Sequence, residues 1–153
     1  MAIRRLSPTA TFRVISQYDD AIVQETAEEL EQLKAEGKGT RYEKYLETFN
    51  LDDLKLNPEA KPTIFVVRCL TSDELAELNE KHVEADSTAK VKIKFIDRNK
   101  MILEMFEKAV IGIENEQGKP EKISRNELDL HVAMEIGGII SLMTSLGKNL
   151  KKP

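Results

Sequence analysis

The sequence has few aromatic residues, a single cysteine and no long apolar run. Aromatics make up 5% of the 153 residues and tryptophan is absent, so the core must be built mainly from Ile, Leu, Val and Met. Cys69 stands alone, which excludes an intrachain disulfide and favours a reducing compartment. No apolar stretch approaches the roughly 20 residues of a membrane-spanning helix, and the N-terminal residues lack the apolar run of a secretion signal. These features predict a soluble protein of the cytoplasm.

Charge narrows the possible partners. The formal net charge of −4 argues against broad contact with a phosphate backbone, so we expect no nucleic-acid partner. The best basic feature is the series Lys90, Lys92, Lys94, Arg98 and Lys100. On a helix these side chains would spread over more than half the circumference, which is typical of a solvated flank. Charged residues make up 33% of the chain and apolar ones 41%, a globular balance, and the length suits a single domain over residues 1–153.

The first half of the chain begins with an N-terminal strand within residues 1–18. Residues 11–15 are short and β-rich and predict this strand. Asp19 and Asp20 then offer an N-cap to a helix over 20–36, and residues 40–49 carry one clean apolar helical face. The two helices predict a helical hairpin over residues 19–50.

A second set of patterns follows the hairpin. A loop is expected over 51–62, and residues 63–70 give the strongest strand signal in the sequence. Residues 71–73 then predict the start of a helix. Residues 125–146 are apolar at helical spacing and predict a last helix, followed by a flexible tail over 147–153.

The segment between these helices allows two interpretations. Residues 91–95 alternate in polarity like a strand, yet an apolar helical stripe runs from Ala89 to Ile113. The helical pattern covers more residues over a longer window, so we predict one long helix over 88–114. The resulting fold class is α+β, predominantly helical with a small antiparallel β-sheet.

Reactive groups do not form a recognisable catalytic or metal-binding constellation. His82 with Asp86 and His131 with Glu135 are each spaced four apart on a predicted helix, but two ligands make an incomplete metal site. A small hydrolase using His131 and Glu135 is the enzymatic alternative. Cys69 lies in the strongest predicted strand, where a free cysteine behaves as a small buried apolar residue. We therefore predict a protein that is not an enzyme and has no cofactor.

Two glycine pairs are explained by the fold, one as a helix end and the other as a helix crossing. Gly37 and Gly39 flank a lysine but lack the preceding strand and the spacing of a phosphate-binding loop, and they end the first predicted helix instead. Gly137 and Gly138 lie inside a helical pattern, where each glycine costs about 1 kcal/mol relative to alanine. A close helix–helix crossing is the expected use, with a kink as the alternative.

Motifs in the second part of the chain resemble a known family. They are Asn57-Pro58, Pro62-Thr-Ile-Phe-Val-Val-Arg-Cys-Leu-Thr71 with the acidic helix after it, Ala109-Val-Ile-Gly-Ile-Glu-Asn115 before Gly118-Lys-Pro120, and the terminal Ile139-Ile-Ser-Leu-Met-Thr-Ser-Leu146. In order and spacing they resemble the small tail assembly chaperones and related tail proteins of long-tailed bacteriophages. The resemblance covers the predicted α/β core, residues 57–146. Ile113 stands where an aromatic is commoner, and the hairpin before Asn57 is longer than in the family.

The resemblance implies a non-enzymatic role in the host cell cytoplasm. Such proteins bind the long helical tape measure protein and help to bring tail tube subunits to it. A structural protein of the tail, neck or baseplate, located in the virion, is the alternative. Homo-oligomers are possible, and no membrane partner is expected. We assign partner binding to seven apolar helix-face residues: Tyr42, Tyr45, Phe49, Ile136, Ile139, Ile140 and Met143. For the aromatic residues among them, packing on the sheet is the competing interpretation.

Overall fold

The computed structural model describes residues 10–85, 94–96 and 98–146, and for 82–85 and 94–96 only the backbone. The predicted tail 147–153 lies outside the described residues. Within them the elements, in chain order, are β1 Phe12–Ile15, α1 Ala27–Ala35, α2 Arg41–Thr48, β2 Ile64–Val67, α3 Ser72–His82, β3 Val83–Ala85, β4 Lys94–Ile96, α4 Arg98–Ala109, β5 Val110–Glu114, β6 Pro120–Glu121 and α5 Leu130–Ser145. The predicted α+β class, mostly helical with a small antiparallel sheet, is confirmed.

The main sheet contains four antiparallel strands in the order β1–β2–β5–β6. All four residues of β2 are buried, because the sheet is covered on both faces. On one face Val14, Phe65 and Val67 belong to the main core, which α4 and α5 complete. On the other face Ile15 and Ile64 pack in a smaller cluster with Tyr45 and Leu54. Strands β3 and β4 form a separate antiparallel pair.

Helices α4 and α5 cross closely at Gly137. A Cβ atom built at Gly137 would lie 2.5 Å from the backbone oxygen of Ile102, so only glycine allows this approach. At Gly138 a Cβ would meet nothing within 4 Å. The predicted close helix–helix crossing is confirmed, and Gly137 alone provides it.

The helix expected over 20–36 begins seven residues later than predicted. Thr26 is the actual N-cap, its side chain accepting from the amide of Glu29, and Asp19 instead accepts from the amides of Ala21 and Thr63. The extended segment before Thr26 makes an antiparallel bridge between Ile22 and Leu56. The prediction was wrong because β-branched residues in this segment pair with a distant loop, a contact that local periodicity does not reveal. No residue of α1 is buried, so this helix of the predicted hairpin contributes nothing to the core.

The single helix expected over 88–114 is wrong as well. Residues 94–96 form β4, α4 spans only Arg98–Ala109, and β5 continues directly from it. Residues 88–93 and 97 of the expected helix lie outside the described part of the chain. The core face of α4, with Phe106 and Ala109, runs on into β5, so one apolar stripe crosses a helix-to-strand boundary. Similarly, 125–127 form a 3₁₀ turn, and α5 begins only at Leu130.

Candidate functional site

Two tyrosines of α2 cover the free edge of strand β1. The Tyr45 hydroxyl donates to the carbonyl of Arg13 at 2.6 Å and accepts from the amide of Ile15 at 3.1 Å. The Tyr42 hydroxyl lies 2.8 Å from the carbonyl of Ile15. An uncovered edge strand would present these groups to solvent or to another chain. The predicted helix of residues 40–49 is therefore confirmed, and its aromatic face packs on the sheet.

Glu135 ties α5 to the end of β1 and to α2. Its carboxylate accepts from the Ser16 hydroxyl at 2.6 Å, from the Gln17 amide at 2.7 Å and from the Tyr42 hydroxyl at 2.9 Å. Burial, together with the nearby Glu135 carboxylate, raises the pKa of the Tyr42 phenol far above its usual range. Burial also raises the pKa of Tyr45, to about 12. Both phenols therefore stay protonated at neutral pH and remain hydrogen-bond donors.

The assignment of partner binding to seven apolar residues is corrected for most of them. Tyr45 and four residues of α5 are buried, because they supply the core of the molecule; the four are Ile136, Ile139, Ile140 and Met143. Tyr42 and Phe49 are half-buried against β1 and the cores, and the Phe49 ring contacts Phe12 and Tyr45. None of these side chains forms a free apolar face for a partner.

Apolar surface appears at a place the sequence did not indicate, the N-terminal end of α5. Tyr18, Asp129, His131 and Val132 line a shallow depression of about 470 Å³. Tyr18 is 61% exposed, and Leu130, which lies between two of the lining residues in sequence, is 62% exposed. Asp129 caps the helix by accepting from the His131 amide. We call this surface the apolar depression.

A second concavity is lined by Gln17, the chain neighbour of Tyr18. This cleft has a volume of about 290 Å³ and is formed by the end of β1, the extended segment before α1, and the first turn of α2. Its polar lining consists of Gln17, Gln24, Glu25, Thr40, Tyr42 and Glu43. We call it the acidic cleft, because its two charged residues are both carboxylates.

The catalytic candidates Cys69 and His131 lie in different environments, and the Glu135 carboxylate accepts from Ser16, Gln17 and Tyr42. Cys69 is buried in the main core, and His131 lies exposed on the first turn of α5. Among the described residues, no group of three or more His, Cys, Asp or Glu side chains could hold a metal ion. The pair His82 and Asp86 cannot be placed, since neither side chain is among those described. Gly37, at φ 69°, follows the end of α1 and has the predicted helix-ending role.

One signal in the sequence could have identified the Glu135 junction. Between Val132 and Leu146 it is the only charged residue, and a carboxylate on an otherwise apolar helix must find donors when the helix packs. Tyr18, Glu25 and Glu43 carry no such signal, because the two concavities are assembled from segments far apart in the chain.

Comparisons with protein-family models, with curated proteins and with solved structures found no match. No helix in the described part of the chain is long and apolar enough to cross a membrane.

Proposed function

We propose that this chain is a non-enzymatic binding protein that acts as a tail assembly chaperone of a long-tailed bacteriophage. In this role it binds the tape measure protein in the host cytoplasm and brings tail tube subunits to it. The sequence motifs over residues 57–146 support the family, and the apolar depression supports a binding role. The order of those motifs along the chain is the basis for naming the partner.

The apolar depression is the observation that favours binding over catalysis. Tyr18, which lines it, and Leu130, which lies between two lining residues in sequence, each leave more than half of the side chain in solvent. Exposed apolar groups next to a concavity are typical of a surface that receives another protein. An amphipathic helix of a long partner could place one apolar residue there while its polar face stays in water.

An affinity pull-down of the tagged protein from infected cells tests this function. We expect recovery of a very long helical protein together with a tube subunit. Leu130→Ser should lower that recovery, because it removes exposed apolar area between two residues that line the depression. Leu146→Ser is the matched control: Leu146 is 59% exposed at the opposite end of α5, roughly 24 Å away at 1.5 Å per residue.

Two results would contradict the proposal. If Leu130→Ser and Leu146→Ser lowered the recovery of the partner equally, the partner would not bind at the apolar depression. Detection of the protein at stoichiometric level in purified virions by mass spectrometry would rule out a transient chaperone and make the chain a structural component of the tail, neck or baseplate.

A further inference from the structure

Negative charge is concentrated in the part of the chain that forms the acidic cleft. Residues 19–53 contain eleven acidic and four basic side chains, whereas the whole chain has 27 and 23. The remainder of the chain is therefore net positive. Such asymmetry favours a cationic partner at this end of the molecule.

Glu25 is the most enclosed charged group of the cleft. Its side chain is 7% exposed, and its Oε1 atom accepts from the backbone amide of Arg41 at 2.7 Å. Among the described residues, no donor reaches the second oxygen, Oε2. The carboxylate thus uses one oxygen to hold the first turn of α2 and keeps the other for a further donor.

The positive charge nearby does not neutralise the cleft. Arg41 donates to Glu29 at 2.7 Å and to the carbonyl of Val23 at 3.2 Å, and its Nε lies 3.7 Å from Glu25. Glu43 forms no ion pair with any lysine or arginine that the structure describes. The Arg41 guanidinium is thus paired with Glu29, which does not line the cleft, while Glu43 has no cationic partner among the described residues, so the cleft keeps excess negative charge.

The N-terminus of α2 does not make the cleft an anion site. Two of its first three amides already have acceptors, since the Arg41 amide donates to Glu25 and the Glu43 amide donates to the Thr40 hydroxyl at 3.2 Å. An incoming ligand meets the remaining carboxylate oxygens together with the uncharged amides of Gln17 and Gln24, which can accept as well as donate.

We propose that the acidic cleft binds the cationic end of an arginine or lysine side chain of the partner protein. This inference rests on the proposed binding function and names the chemistry of the partner. A volume of about 290 Å³ lies at the lower limit of small-molecule pockets and suits a single side chain. Carboxylates match a guanidinium through charge-assisted bonds, and Ile22 in the cleft wall can cover the aliphatic stem. Gln17 of the cleft and Tyr18 of the apolar depression are neighbours in the chain.

Titration with N-acetyl-argininamide, followed by the ¹H–¹⁵N spectrum of the full-length labelled protein, tests the cleft directly. We expect saturable shifts at the amides of the cleft residues. N-acetyl-citrullinamide, which has nearly the same shape without the charge, should give none. Binding should weaken as salt is added, because a charge pair is screened.

Three variants locate the effect. Glu43→Gln should weaken arginine binding about tenfold, because it removes a charge-assisted bond. Glu25→Gln should weaken it as well, but it also changes the contact with Arg41, so Glu43→Gln is the decisive variant. Glu28→Gln removes the same charge from an exposed position outside the cleft and should leave binding unchanged. Equal shifts with citrulline, shifts away from the cleft, or equal affinities of Glu43→Gln and Glu28→Gln would overturn the proposal.

The pull-down separates this inference from the proposed function. If tail proteins are recovered equally by wild type and Glu43→Gln, and arginine causes no shifts, the inference fails while the function stands. If arginine binds in the cleft but no tail protein is recovered, the family assignment fails and the basic-side-chain site stands.

Discussion

Helices α1 and α5 lie at opposite extremes of burial. The nine residues of α1 include no buried side chain, whereas α5 contributes six residues to the core. Both have apolar residues at helical spacing, but α1 is dominated by glutamates, and α5 has one charge from Val132 to Leu146. The amount of apolar surface, more than its spacing, decides which helix enters the core. The core-facing side of the most apolar helix is therefore a poor place to expect a partner, and only exposed positions such as those of its first turn remain available.

The largest contrast is expected from truncating one apolar side chain in each helix. Ile140 is fully buried and Leu30 is 45% exposed. Ile140→Ala should lower the free energy of unfolding by about 3–4 kcal/mol, because it leaves a cavity in the core. Leu30→Ala should cost about 0.5 kcal/mol. Urea unfolding followed by circular dichroism measures both, and similar costs would contradict the division between core and surface helices.

A second contrast lies within α5. Gly137→Ala should destabilise the protein by about 2 kcal/mol, because its Cβ would meet the Ile102 backbone and separate α4 from α5. Gly138→Ala is the control and should stabilise it by about 0.5–1 kcal/mol, since alanine favours the helix and the space is open. Thermal unfolding of both variants checks the signs. A stabilised Gly137→Ala would show that the helices do not cross there.

The smallest effect is expected from two ion pairs, one beside the core and one at the surface. Beside the core, Arg68 donates to both oxygens of Glu74 at 2.7 and 2.8 Å, which together with the Thr71 amide lowers the Glu74 pKa to about 2. The Arg68–Glu74 ion pair contributes about 1–2 kcal/mol to the free energy of unfolding. Because the pKa of Glu74 is lower in the folded state, this contribution is fully present above the unfolded pKa near 4.5 and is lost as pH falls toward 2.

Urea midpoints at pH 7 and pH 3 test this expectation. The stability difference between wild type and Glu74→Gln should shrink at the lower pH. Glu29 of α1, which is paired with Arg41, provides the exposed control. Glu29→Gln should change the urea midpoint less than Glu74→Gln at both pH 7 and pH 3. A Glu74→Gln difference that does not depend on pH would contradict the depressed pKa.

Much of the fold follows from local pattern. Strands β1 and β2 are rich in β-branched and aromatic residues, and α2 and α5 have clear apolar faces, so their existence was predictable. The boundary between Ala109 and Val110 was not, because an uninterrupted apolar stripe continues across it. Strand β5 forms only because it pairs with β2, through partners such as Phe65 and Ile113 that are 48 positions apart.

The two concavities were less predictable than the fold. Each combines residues from the end of β1 with residues from a helix far along the chain. The polar residues of the acidic cleft do not stand out in an acidic sequence. They lie together because Glu25 accepts from the Arg41 amide and so joins the segment before α1 to the first turn of α2. The aromatic face of α2 was assigned to partner binding, but Tyr42 and Tyr45 pack on the edge of β1, which was the competing interpretation.

The covering of β1 by Tyr42 and Tyr45 has a consequence for self-association. If α2 detached, the carbonyls of Arg13 and Ile15 would become available to a strand from another copy, and the sheet could grow by intermolecular strand addition. At the opposite edge, β6 is only two residues long and begins with proline, which limits the same addition. The hydroxyls of Tyr42 and Tyr45 therefore block strand addition at the longer edge of the sheet.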